Sequence, residues 1–163
     1  MTPAELHFEN IYAQYSHSVY RVCMGYINDP AQAEDMMQET FISVWKNLSS
    51  FREESRISTW IFRIATNICL RAIEKSKKVR LEALPFDLPD HSEETIEHHL
   101  IFLYRCISEL DETDRIIISL VLEDLPQQEI AEIVGLSHSN IRVKIHRIKE
   151  KLSAQFKHHG EFE

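Results

Sequence analysis

Glycine occurs three times and proline five times in the 163 residues. With so few breakers the chain runs in long uninterrupted patterns. Apolar residues recur at three- and four-residue steps and no alternating strand pattern is visible, so the expected fold class is all-α. Cysteine is also sparse. Cys23, Cys69 and Cys106 lie far apart and form no CxxC, so they are expected to be small buried hydrophobes rather than metal ligands. Long apolar runs are missing as well. The polar, acidic stretch from Met1 to Tyr15 does not resemble a signal peptide. Nothing approaches the roughly 18 apolar residues of a membrane span, so a cytoplasmic protein with no membrane insertion is expected. No glycine-rich phosphate loop and no nucleophile–base set is present, which leaves an enzyme without support. Histidine is plentiful, but the pairs His98-His99 and His158-His159 point to different helix faces, and no metal or cofactor is expected.

Positive charge is in the minority, with 18 Lys and Arg against 26 Asp and Glu and a net charge of −8. The charge is sorted along the chain: −4 over residues 1–50, +5 over 51–80, −6 over 81–100, −6 over 101–135 and +3 over 136–163. Two separate basic patches in an acidic chain point to two separate contacts with a polyanion.

Helical periodicity predicts a first helix from about Glu5 to Ile27, broken by Asn28-Asp29-Pro30. Asp29 is the expected N-cap and Pro30 the first position of a second helix reaching Leu48, with Trp45 among its core residues. The opposite side of that helix carries Asp35, Gln38 and Glu39. After a loop over 49–58, a third helix starts near Ser58 or Thr59 and runs to about Lys78. Its expected buried stripe is Trp60, Ile61, Ile64, Ala65, Ile68 and Ala72, with Arg63, Thr66 and Asn67 lying away from it. Pro85, Pro89 and a run of acids mark 81–97 as a linker between two helical domains, 1–80 and 98–157.

The second basic patch carries the sharpest motif. Leu125-Pro126 opens a short helix whose core face is Ile130, Ala131, Ile133 and Val134. Gly135 permits a left-handed end, Ser137 can cap the next helix, and Ile141, Ile145, Ile148 and Leu152 stripe that longer, basic segment. This is the layout of a helix-turn-helix, whose second helix reads the DNA major groove. Ser139, Asn140, Arg142, Val143 and His146 are candidates for base edges, where Arg and Asn can bond bidentately and Val can meet a thymine methyl; Lys144 and Arg147 are candidates for phosphates. The first patch, Phe51 to Arg80, mixes the aromatics Phe51, Trp60 and Phe62 with bases, a blend suited to unstacked or single-stranded DNA. Asn67 is a mediocre helix former, which hints at a hydrogen-bonding role there.

The run Ala33-Glu34-Asp35-Met36-Met37-Gln38-Glu39-Thr40-Phe41 with Trp45, and Phe51 followed by Ser58-Thr59-Trp60-Ile61-Phe62-Arg63-Ile64-Ala65-Thr66-Asn67, resembles region 2 of the extracytoplasmic-function (ECF) sigma factors of bacterial RNA polymerase. The stretch from Gln128-Glu129-Ile130-Ala131 through His146-Arg147 and Leu152 is similar to region 4 of the same family. The resemblance implies a factor that lends core RNA polymerase its promoter specificity, with promoter DNA and the polymerase as partners and an anti-sigma factor as a further possible one. It implies polymerase binding by Asp35, Gln38 and Glu39, and handling of the −10 element, with a base extruded into a pocket, by Phe51, Arg52, Arg56, Arg63, Thr66 and Asn67. It also implies −35 readout by Ser139, Asn140, Arg142, Val143, Lys144, His146 and Arg147. The chain departs from the family pattern at Leu70-Arg71-Ala72-Ile73-Glu74-Lys75, which lacks an aspartate and paired arginines, at Asp111, at Leu125-Pro126 and at Val143. A dimeric helix-turn-helix repressor or activator is the alternative. It accounts for residues 126–152 and leaves the Asp35 face and the first basic patch idle.

Overall fold

A computed structural model describes residues 2–76 and 96–160. Helix α1 (Pro3–Ile27) starts on a capping box, in which Thr2 Oγ1 accepts from the Glu5 amide and the Glu5 carboxylate accepts from the Thr2 amide. It ends at Asn28, which adopts φ 52°. Asp29 caps α2 (Pro30–Asn47) by accepting from the Gln32 amide at 2.9 Å, as the sequence predicts. A 3-10 turn, Leu48–Ser50, leads into the loop before α3 (Ile57–Ser76). The second half holds α4 (Ile96–Ser108), α5 (Glu112–Leu122), α6 (Gln127–Val134) and α7 (His138–Gly160). Among the described residues there is no strand. The expected linker over 81–97 falls outside the described residues except for Ile96 and Glu97, which open α4.

Helices α1, α2 and α3 pack on one another, as do α5, α6 and α7. The two halves are themselves joined: α1 lies against α4 and α5, and α3 lies against α6. The interface is close enough to require a glycine. A Cβ on Gly25 of α1 would stand 2.1 Å from Ser119 Oγ of α5. Nearby, Arg115 lies over the buried Tyr26 ring at 5.2 Å.

This double contact corrects parts of the sequence reading. Helix α3 is covered on two sides, so its buried surface is wider than one stripe. Thr66, expected to lie away from the buried face, is 2% exposed, and Phe62 belongs to the core instead of to an aromatic DNA surface. Trp60 and Ile64, expected in the stripe, are only half-buried. Trp45, expected in the core, is 45% exposed and meets Phe8 edge-on at 5.0 Å. The three cysteines are buried, as expected.

Candidate nucleic-acid interface

The helix-turn-helix forms where the sequence places it. Gly135 takes φ 78°, a conformation costly for residues with a Cβ, and its amide bonds back to the Ala131 carbonyl at 2.9 Å. Ser137 Oγ accepts from the Asn140 amide at 3.2 Å and so starts α7. Ile141, Ile145, Ile148 and Leu152 are all buried, each worth roughly 1.5–3 kcal/mol against exposure. Burying that stripe forces Ser139, Asn140, Arg142, Val143, His146 and Arg147 onto exposed positions. Lys144 is turned inward: its Nζ donates to Asp114 Oδ1 of α5 at 2.8 Å, and Asp114 is buried. That pair ties α7 to α5, so Lys144 is less free than its neighbours to reach a phosphate.

The first basic patch is divided. Phe51 packs against Trp60 with ring centroids 4.9 Å apart, and Arg52 Nη1 lies 3.9 Å from Glu54 Oε1. Asn67 is exposed. Arg56 and Arg63 are engaged by α6: Arg56 Nη1 donates to Glu129 Oε1 at 2.9 Å, and Arg63 Nη2 donates to the Glu132 carbonyl at 3.4 Å. The loop between α2 and α3 contains Glu53 at φ 56°, a left-handed residue that turns the chain there. Against that loop lies a surface cavity of about 440 Å³, lined by His7, Asn10, Gln14 and Tyr15 of α1 and by Phe51 and Ser55. The α1 residues were missed from sequence, because nothing in local spacing says which helix will form the far wall of a loop cavity.

On α2, Asp35, Gln38 and Glu39 are exposed, as expected. Helical steps of three and four carry the same face on to Ile42 and Trp45, which are large apolar residues left open to solvent. Trp45, expected in the core, instead lies at the edge of an aromatic cluster, meeting Phe8, which in turn meets the buried Phe41; that contact is made across two helices and no local spacing signals it.

Residues 11–79 match the model for sigma-70 region 2, and residues 103–152 match that for sigma-70 region 4. The chain belongs to the sigma-70 family. Its relatives place this sigma factor in the ECF group. It is 26% identical to the ECF RNA polymerase sigma factor SigW of Bacillus subtilis, over 92% of this chain and 89% of the relative. It is 27% identical to SigM of the same organism, over 91% and 94%. Two solved structures share the fold: CnrH in complex with the cytosolic domain of CnrY, with TM-score 0.73, 21% identity and coverage of 94% of this chain and 89% of that one, and RpoE of Bartonella quintana in complex with the anti-sigma factor NepR, with TM-score 0.77, 19% identity and coverage of 93% and 97%. The function of this sigma factor is promoter recognition in transcription initiation.

Proposed function

We propose that this chain divides promoter recognition between residues 1–80, which bind core polymerase and the −10 element, and residues 98–157, which read the −35 element, with 81–97 as the connection. The reading rests on one observation: the exposed surfaces are sorted by chemistry. Helix α2 presents carboxylates beside open apolar groups, and α7 presents Arg142, Arg147 and Asn140 beside Val143.

On α2 the polymerase-binding set is Asp35, Gln38 and Glu39, extended by Ile42 and Trp45. Carboxylates give steering and register, while the apolar pair supplies the desolvated centre that a protein interface needs. The −10 set is Phe51, Arg52, Arg56, Arg63 and Asn67. Thr66 acts behind them as packing, since its side chain is buried. The cavity beside Phe51 and Ser55 is offered as the place for an extruded base. On α7, Ser139, Asn140, Arg142, Val143 and His146 meet base edges and Arg147 meets phosphate, with Lys144 available only if it leaves Asp114. Among the described residues no helix is long and apolar enough to cross a membrane, and we place the chain in the cytoplasm with the polymerase. It carries out no chemistry of its own and needs no cofactor. The two structural neighbours were solved with the cytosolic domain of CnrY and with the anti-sigma factor NepR, and an anti-sigma factor is a fitting third partner here.

The test is a co-purification with core polymerase. The double variant Asp35→Arg, Glu39→Arg should retain its helical circular dichroism and lose the polymerase, because both side chains face solvent. Full retention of the polymerase by that folded variant refutes the α2 assignment.

A further inference from the structure

The apolar stripe of α7 fixes which side of the helix is buried but sets its rotation only loosely. Three of its four members are isoleucines, at 141, 145 and 148. Apolar contacts are non-directional, and a helix seated on them alone can turn a little without losing buried area. The readers on the other side have no such latitude. Their tips lie at a radius of about 5–6 Å, so a turn of ~20° displaces them by roughly 2 Å. A base-edge hydrogen bond holds only between about 2.7 and 3.2 Å. Base readout therefore needs a directional contact that sets the phase of α7.

Asp114 supplies that contact. It lies in the first turn of α5, where the helix favours negative charge. Its side chain is 10% exposed and Lys144 Nζ reaches Oδ1 at 2.8 Å, while the Lys144 side chain is 37% exposed. The carboxylate is thus the enclosed, fixed partner, and α5 is anchored in turn by the buried Ile116, Ile117 and Leu120. Lys144 follows Ile141 by three residues and precedes Ile148 by four, on the flank where the buried stripe meets the reading face. Val143 and His146, both exposed, stand close to it along the helix. About three turns further on, Gln155 Nε2 donates to Glu109 Oε2 at 2.8 Å and steadies the far end of α7. Asp114 steadies the reading end.

The bond also has an electrostatic consequence. A free lysine on a DNA-facing helix accepts any phosphate, and such a contact adds affinity that carries no sequence information. Moving Lys144 to a phosphate would leave the Asp114 carboxylate enclosed and unpaired, and that penalty keeps the lysine in place.

We propose that Lys144 is a positioning residue for −35 readout: held by Asp114, it sets the rotation of α7 and stays off the phosphates, so it contributes discrimination between sequences and no sequence-independent affinity. This deepens the assignment of α7 to the −35 element and rests on it. It gives Lys144 the opposite role to Arg147, the residue of the same helix assigned to phosphate.

The experiment forms holoenzyme from core polymerase and the full chain and measures closed-complex affinity over a range of salt on two duplexes. One carries the −35 sequence that wild-type holoenzyme selects from a randomised pool; the other has that sequence scrambled. Lys144→Met should cut the ratio of the two affinities by about three- to tenfold, part of what one good base contact supplies, and leave the slope of log affinity against log salt unchanged. Asp114→Ala, which leaves α7 itself intact and carries the test if Lys144→Met fails to fold, should cut the ratio similarly. The released lysine should then strengthen binding to the scrambled duplex and steepen the slope by about 0.9. Lys144→Arg, still able to reach Asp114, should keep the wild-type ratio. Arg147→Ala gives the signature of a lost phosphate contact: both duplexes weaken alike and the slope flattens by about 0.9. If Lys144→Met shows that signature, Lys144 is a phosphate contact and the proposal is overturned while the α7 assignment stands. A lower melting temperature with an unchanged ratio makes the pair merely structural and overturns it equally. If Arg142→Ala also leaves the ratio unchanged, the −35 assignment of α7 itself fails.

Discussion

Gly25→Ala is the sharpest perturbation the structure offers, because its two effects fall on different equilibria. Gly25 lies inside α1, where Ala favours the helix by roughly 0.5–1 kcal/mol. That gain belongs to α1 whether the halves are together or apart, so it cancels in the closing equilibrium. The new methyl group does not cancel. It would meet Ser119 Oγ at 2.1 Å and Ser119 Cβ at 3.1 Å. Ser119 can rotate its hydroxyl away but cannot move its Cβ without shifting α5. Overpacking of this kind costs about 1–3 kcal/mol, which biases the equilibrium toward the open form by roughly five- to a hundredfold or more. The first half should therefore become slightly more stable while the molecule becomes less compact. Small-angle scattering reads the second effect: the radius of gyration should rise from about 15 Å, the value for a compact chain of this length, toward about 20–25 Å as two lobes separate. Thermal unfolding reads the first. Ser119→Ala in the same molecule removes the 2.1 Å contact and should partly restore compactness. An unchanged scattering profile, with a melting temperature that simply rises, would show that α1 and α5 are not held at this spacing in solution and would refute the reasoning.

Three further outcomes are expected. Arg142→Ala should weaken promoter binding by about 1–3 kcal/mol and relax sequence preference at the −35 element, since Arg142 is exposed on the face of α7 proposed to read it; unchanged affinity and preference in a competition assay would remove α7 as the reader. Gly135→Ala should destabilise the helix-turn-helix by about 1 kcal/mol from backbone conformation alone, because φ is 78° and nothing lies within 4 Å of the added methyl; an effect several times larger in a denaturant titration would mean the methyl is not in open space. Stability should also fall in alkali. The Cys69 thiol is pushed well above its ordinary range by its bond to Cys23 and by burial, and burial raises Cys106 and Tyr104 as well. Each is an acid that the folded state keeps neutral, so its contribution is complete below the unfolded pKa and is lost as pH climbs through the folded one. Melting temperatures should therefore decline above about pH 8.5–9. A flat profile to about pH 10.5 would contradict this, as would rapid reaction of native Cys69 with a thiol reagent near pH 8.

Local features were legible because their causes are local. The N-cap at Asp29, the left-handed end at Gly135, the cap at Ser137 and the α7 stripe of Ile141, Ile145, Ile148 and Leu152 all depend on neighbours within one or two helical turns, and each formed as read. So did the open positions of Asp35, Gln38, Glu39 and Arg142, which are the far sides of faces that had to be buried. The errors came where a second helix intervenes. Thr66 and Phe62 are buried because α3 is covered from both sides, and Trp45 stays open because its contact on α1 is edge-on against Phe8 at the rim of the helix pair.

Helical stretches, two charged surfaces and a family follow from the order of the amino acids alone, since periodicity, caps and charge are properties of residues near one another along the chain. That Glu129 meets Arg56 across 73 positions of sequence, and that Gly25 admits Ser119, emerges from the packing of the folded chain. Pairings between distant segments depend on how whole helix faces fit together in space, and no window of sequence contains both partners.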